Sequence, residues 1–427
     1  MRKNPKIYMI AMDGAADRRI LRLGGRTPLE AAETPYLDRL AENGRQSLIE
    51  ILPKGLTPES DSGAMALLGY DPIMYYCGRG ALECMGLETY KDFQSFAGFR
   101  VNFASLDSIT GQLDRRTARG LAGEELAALT DEITRKVKLT AVPEVQFQLL
   151  SFGTHRGILG FYSNSVELSG NVSNTDPGFH KKGYFSLPVK EYPALLQRCV
   201  PLDDTDAAVS TAALVNDFTA QCNHILNCSP VNLNRQQEGK LPANCLLLRD
   251  GGSKHRTMPS IQEKYHRFAS IYGQLPCERA LAELIGAQFY YTQALELQLE
   301  AAYLSQTARR LLKDPSDIVF CHLKGPDEPG HDNDPFGKQR AIEQIDQFFF
   351  RELVTGAGNG DVIIVTCDHA TPCELGIHSD DKVPVLLSGS RIKPDGNQRF
   401  NEISAAQGGT GRAVDILRYV CEVIDHE

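Results

Sequence analysis

The 427-residue chain has no tryptophan, no C-x-x-C pair among its eleven cysteines, and no apolar run approaching a membrane span. Without cysteine pairs, zinc-ribbon and dithiol redox readings fall away. An odd number of scattered cysteines reads as reduced thiols in a cytosol, not as a disulfide framework. The opening "MRKNPKIYMIAMDG" offers only about six apolar residues before Asp13, short of a signal-peptide core. A cytoplasmic protein is the expectation. Basic residues are also outnumbered, 45 Lys and Arg against 54 Asp and Glu, giving a formal net charge of −9. That balance argues against nucleic acid or an anionic membrane as partner. A small anionic substrate stays compatible if metals or clustered arginines offset the field locally. No P-loop string is present either, which removes the commonest nucleotide-phosphate cradle.

What is there has α/β grammar. "IYMIAM" (7–12) is a continuous apolar run of the kind buried on both faces of a parallel sheet. "TPYLDRLAENG" follows as a helix, with Thr34 as N-cap, Pro35 in the first turn and Gly44 as the stop. The same style returns in "IVFCHL" (318–323), a loop "KGPDEPGHDND", a helix from about 336 to 354, "VIIVTC" (362–367) and "VPVLLSG" (383–389). Between about 95 and 250 the texture changes to short period-2 stretches, such as "VQFQLLSFG" and "RGILGFYS", with one long helix over 205–226. The spacing predicts a mostly parallel α/β sheet flanked by helices and an inserted α+β domain. The metal-ligand-bearing domain is expected over 1–85 and 255–427, and the insert over 86–254.

Ligands in open α/β sheets bind beyond the carboxyl ends of strands. Here three strands end on metal-capable side chains. Asp13 follows 7–12; Asp327 and His331 follow 318–323; Asp368, His369 and, nine residues on, His378 follow 362–367. A lone Asp after a strand is usually a turn residue or a cap, and a lone loop His is usually solvated. Three such strand ends together call for two divalent cations with mixed oxygen and nitrogen donors. Mn²⁺ or Zn²⁺ suits that set, and Mg²⁺ suits it less. A pair of ions would clamp both oxygens of an in-line phosphoryl displacement. "TPESDSGAMALLGYDP" (57–72) offers the nucleophile: Ser60 or Ser62 at a helix start, where either hydroxyl could instead merely cap the helix.

Those residues, in that order, resemble the alkaline phosphatase superfamily. The strings "DGAADR", "LGGRTPLEAAETPYLDRLA", "SDSGAMALLGYDP", "GRGALE", "CHLKGPDEPGHD", "CDHATPCE" and "HSDDKVPVLL" are similar to those of the archaeal-type cofactor-independent phosphoglycerate mutases. "VNFAS", "LDRRTAR", "THRGIL", "SNTDP" and "LPANCLLLRDGG" extend the resemblance through the insert. It implies an alkaline-phosphatase-like domain and interconversion of 3- and 2-phosphoglycerate without bisphosphoglycerate, through a phosphoserine on Ser60. By motif, one metal would be held by Asp327, His331 and His378, and the other by Asp13, Ser60, Asp368 and His369. Mn²⁺ is preferred, with Zn²⁺, Co²⁺ or Mg²⁺ able to substitute. Asp114, Arg115, Arg119, His155 and Arg156 are implied as glycerate contacts. Arg249 and Lys264 are further candidates for phosphate or carboxylate. Ala64 departs from the family pattern, where many members carry His. It keeps a homoserine kinase-like phosphotransferase or a phosphatase in view. "ESDSGA" lacks the C/S-x-P-x-R string of a sulfatase.

Overall fold

The computed structural model describes residues 5–115, 120–153, 155–189, 191–253, 257–292 and 300–425. The chain divides into two compact units, one of Met1–Tyr75 with Thr257–Glu427 and one of Tyr76–Arg256. Residues 76–85, assigned by the sequence reading to the first domain, thus belong with the second unit. The helix Arg79–Gly86 is the reason: it is buried throughout, and Gly80 lies so close to Gly98 of the Ser95–Leu106 strand that a Cβ would meet that backbone at 2.3 Å.

The first unit is built on an eight-stranded sheet. Its order is Gln288–Tyr291, Ala269–Gly273, Ile318–Leu323, Ile7–Met12, Val362–Thr366, Val383–Ser388, Gly44–Glu50 and Thr410–Arg412. The first five strands run parallel, and Val383–Ser388 is antiparallel to both neighbours. Ile7–Met12, Ile318–Leu323 and Val362–Thr366 are buried at every position. That is why they read as unbroken apolar runs and not as alternating ones. Gly44, read as a helix stop, also opens an edge-side strand that the sequence reading did not identify.

Thr34 occupies the expected N-cap of Pro35–Glu42 but makes no side-chain capping bond. The carboxylate of Asp346 takes over, accepting the N–H groups of Tyr36 and Leu37 at 3.2 and 2.8 Å. Asp346 sits in a π-helical segment, Ile345–Phe350, that interrupts the helix expected over 336–354. Burial, offset in part by those two N–H donors, raises its carboxyl to about 6.

The second unit holds an antiparallel sheet in which Ser95–Leu106 is flanked by Arg156–Ser163 and Cys245–Gly252, with Gln146–Phe152 beyond the former. The helices Gly123–Lys136 and Asp206–Asn227 share its apolar core, in which Phe99, Phe161 and Phe218 meet edge to face. The long helix starts where expected because the Thr205 hydroxyl accepts the N–H of Ala208. Among the described residues no helix is long and apolar enough to cross a membrane.

Candidate metal centre

In the first unit the parallel strands deliver their last residues to one edge. Asp13 follows Ile7–Met12 and is fixed by its N–H bond to Leu323 O, 2.9 Å. The next residue, Gly14, has φ +57°, and a Cβ there would meet Asp327 Oδ1 and Thr371 Oγ1 at 2.6 Å. Glycine is required both by the left-handed backbone and by the crowding of carboxylates. Its N–H donates to Asp368 Oδ1 at 3.1 Å, tying the first strand end to the third.

The loop after Ile318–Leu323 is not irregular throughout. Asp327–His331 forms one helical turn, so Asp327 and His331, four apart, lie on the same side. Asp327 Oδ2 and His331 Nε2 are 3.4 Å apart, and Asp327 Oδ1 is 3.4 Å from His378 Nε2. The two Nε2 atoms approach to 3.1 Å. Deeper in, Asp13 Oδ1 lies 3.2 Å from His369 Nε2, and Asp368 Oδ2 lies 3.2 Å from the same nitrogen. The rings of His369 and His378 stack at 3.8 Å, joining the outer and inner groups.

Helix Ser60–Leu67 approaches this cluster through Gly63, where a Cβ would meet Asp368 O at 2.4 Å. The two serines then separate by role. Ser62 Oγ accepts the Glu59 N–H at 3.0 Å and donates to Glu59 O, so Ser62 serves the helix start and Glu59 is the N-cap. Ser60, buried, donates to Asp13 Oδ1 at 3.4 Å and lies 3.3 Å from Lys324 Nζ. Lys324 also bonds Asp13 Oδ2 at 2.7 Å. Burial would lower its pKa, but Asp13, Glu278 and Asp368 raise it above the usual range, so it stays charged. Burial would raise Asp13, yet Lys324 and the imidazoles of His322 and His369 hold it well below.

Each imidazole is oriented the same way. Nδ1 of His331 donates to Gly376 O at 2.9 Å, that of His378 to Pro58 O at 3.2 Å, and that of His369 to Thr371 Oγ1 at 3.1 Å. The Thr371 hydroxyl in turn donates to Asp327 Oδ1 at 2.6 Å. Nε2 of every ring is left facing the carboxylates. Nε2 of His369 and of His322 and Oδ2 of Asp368 are buried with no hydrogen-bond partner, although they approach their neighbours closely. Lone pairs that converge without bonding one another are the pattern of a cation site, and this donor set fits a divalent ion. Lys338, wholly buried, braces the loops that carry the donors. Its ammonium bonds Asp17 Oδ2 at 2.9 Å, Ala16 O at 3.1 Å and Thr371 O at 2.8 Å.

Asp13, Ser60, Asp327, His331, Asp368, His369 and His378 therefore come together. The sequence reading missed His322, Lys324 and Glu278. An imidazole inside the otherwise apolar run "IVFCHL" was the available signal.

The second unit carries the other candidates. Arg115 pairs with Asp176, its Nη2 donating to Oδ2 at 2.7 Å and its Nε 2.6 Å from Oδ1, and bonds Tyr192 Oη at 3.1 Å. Arg249 stacks on Phe179 with its guanidinium 4.1 Å from the ring, which Arg115 approaches at 5.4 Å. Arg249 also pairs with Asp250 at 2.9 Å. Around it lie the buried pair Arg79–Glu83, 3.0 Å, and Arg100, 3.7 Å from both Glu83 and Asp250. Arg79 and Arg100 are further residues the sequence reading missed. His155 is buried, whereas Asp114 and Arg156 are exposed on their strands. Arg119 lies outside the described residues. Lys264 is in the first unit, bonded to Gly69 O with its ammonium 4.4 Å from the Tyr70 ring centre.

Fold and site together define an α/β protein that gathers carboxylates, imidazoles and one serine at the carboxyl edge of a mostly parallel sheet. The family model for 2,3-bisphosphoglycerate-independent phosphoglycerate mutase matches residues 41–232. A protein of that name from Aeropyrum pernix is 35% identical over 421 residues, covering 97% of this chain and 98% of its own. One from Methanopyrus kandleri is 33% identical over 431 residues, with 98% and 97% covered. Among solved structures, the cofactor-independent phosphoglycerate mutase from Thermoplasma acidophilum aligns with a TM-score of 0.59 at 28% identity, over 98% of this chain and all of that one. A protein from Pyrococcus horikoshii aligns at 0.77, also 28% identical, over 99% and 98%. The chain belongs to the 2,3-bisphosphoglycerate-independent phosphoglycerate mutase family.

Proposed function

We propose that the protein interconverts 3-phosphoglycerate and 2-phosphoglycerate through a phosphoserine on Ser60, with no bisphosphoglycerate. The carrying observation is Ser60 Oγ, 3.4 Å from Asp13 Oδ1 and 3.3 Å from Lys324 Nζ, beside the converging carboxylates and imidazoles. Asp327, His331 and His378 would hold one divalent cation, and Asp13, Ser60, Asp368 and His369 the other. Mn²⁺ suits these donors best. Bound there, the cations would lower the pKa of the serine hydroxyl and neutralise charge on the phosphoryl group.

The residues themselves do the following. Asp13 orients the Ser60 hydroxyl, whose Oγ forms the bond to phosphorus as the bond to the substrate oxygen breaks; the proton lost from Ser60 ends on that departing oxygen, leaving a glycerate hydroxyl. Lys324, kept protonated by its carboxylate neighbours, places positive charge beside the transferring group. The second glycerate hydroxyl then takes the phosphoryl group from Ser60. Burial of Ser60, Asp13 and Asp368 supports a phosphoserine kept from water, without which the reaction would end as hydrolysis. Asp114, Arg115, Arg119, His155 and Arg156 remain the candidates for the glycerate part, and Arg249 and Lys264 for its phosphate or carboxylate. The chain would work free in the cytoplasm.

An enolase-coupled assay with 3-phosphoglycerate and Mn²⁺ tests this, run beside assays of phosphate release and of homoserine phosphorylation. 2-Phosphoglycerate formation faster than phosphate release is expected. Phosphate release without isomerisation, or phosphohomoserine as the main product, would overturn the reading.

A further inference from the structure

A fourth imidazole shares the orientation of the three expected from sequence. His322 stands inside the Ile318–Leu323 strand, wholly buried, with Nδ1 bonded to Glu278 Oε1. The other Glu278 oxygen is itself fixed, accepting the N–H groups of Gln274 and Leu275 at 2.7 Å each. A carboxylate on Nδ1 presents the Nε2 lone pair on the opposite side of the ring. That Nε2 faces two more acceptors, Asp368 Oδ2 at 3.1 Å and Asp13 Oδ1 at 3.5 Å, and has no hydrogen-bond partner. Lys324 Nζ meets Asp13 at Oδ2, 2.7 Å away, so Asp13 Oδ1, Asp368 Oδ2 and His322 Nε2 converge in a buried site that a further positive charge would stabilise. Atoms bound to a common ion at about 2.1 Å stand about 3.0–3.4 Å apart, close to the separations seen here.

We propose that His322 Nε2 is a ligand to a divalent cation seated with Asp13 Oδ1 and Asp368 Oδ2, and that Glu278 is its positioning residue. This rests on the reading of the cluster as a cation site. It adds a ligand that the strand-end motifs do not contain. The seat is the innermost of the cluster: Asp13, His322 and Asp368 are all buried, whereas His331 in the outer group is exposed.

The test uses the full chain labelled with ¹⁵N-histidine, stripped of metal and titrated with ¹¹³Cd²⁺. Scalar coupling between cadmium and Nε2 marks each ligating ring among the ten histidines. Coupling is expected at His322 as well as at His331, His369 and His378. The His322 signal is assigned by His322→Gln or, should that variant not fold, by elimination using His331→Asn, His369→Asn and His378→Asn. Coupling confined to the other three rings would overturn the proposal and leave the cation site standing. Coupling at no ring would remove both. Glu278→Gln should weaken Cd²⁺ binding about 10–100-fold in chelator competition, and unchanged affinity would refute the positioning role.

Discussion

The buried ionic groups of the two units are unbalanced in opposite directions. In the first, Asp13, Asp327, Asp368 and four imidazoles gather with one ammonium, Lys324, bonded to Asp13, and several of their lone pairs have no partner. In the second, the guanidiniums of Arg79, Arg100 and Arg249 share the carboxylates of Glu83 and Asp250. The consequences for the charged groups differ. Burial and the neighbouring guanidiniums of Arg79 and Arg249 pull Arg100 down to about 10. Burial and the charge of Asp13 press Asp327 upward, yet the imidazoles of His331, His378 and His369 hold it well below the usual carboxylate range. One cluster carries an excess of acceptors and the other an excess of guanidiniums, although the net charge of −9 describes neither. Local sign, set by which strand ends meet, matters more to ligand choice than composition does.

Each half of this comparison can be broken separately. Ser60→Ala should cut turnover on the order of 10⁴-fold or more, since no other group can carry the phosphoryl. Metal content by elemental analysis should be unchanged; retained activity alongside an inactive Ser62→Ala would show the serines exchanged. Lys338→Met should lower unfolding free energy by about 3–5 kcal/mol, because Asp17 is left charged and buried without its partner. Denaturant melts measure this, and a loss under about 1 kcal/mol would mean water reaches Asp17.

Arg249→Gln should raise KM for 3-phosphoglycerate about 10–100-fold, the worth of a charge-assisted bond, with metal content intact. An unaltered KM would remove the guanidinium cluster from substrate binding. The pH dependence of cation affinity is a finer test. Burial would lower His331, but Asp327 raises it to about 9. In the metal-free protein, the stability from that proton is fully present below about 6.5 and lost as pH rises through about 9. A cation competes with the same proton, so affinity should climb across that window and flatten above it. Calorimetric titration shows the slope, and a pH-independent affinity would place the ion elsewhere. Smallest of all, Ser62→Ala should cost about 1 kcal/mol as a lost helix-start bond.

Much of the first unit was legible because its central strands are buried on both faces. Ile7–Met12 and Ile318–Leu323 announce themselves as continuous apolar runs that end in donors. His322 was hidden by the same rule: within such a run an imidazole reads as one more buried residue, and only its neighbours across the sheet reveal its task. Register supplies them, setting Ala11 opposite both His322 and Thr366, so that Asp13 and Asp368 emerge just past the same edge. Arg79 and Arg100 escaped for a similar reason. They lie far apart in helix and strand, and it is the close approach of Gly80 to Gly98 that brings them to Glu83.

The sequence by itself determined most of the element types, the inserted unit and the six metal-capable side chains that follow strand ends, because burial pattern and residue chemistry are local properties. Tertiary structure decided which serine faces the carboxylates and which imidazole joins them. It also decided which nitrogen each ring turns inward. Those choices depend on sheet register, on the room left by Gly14 and Gly63, and on distant acceptors such as Glu278, Pro58 O and Gly376 O.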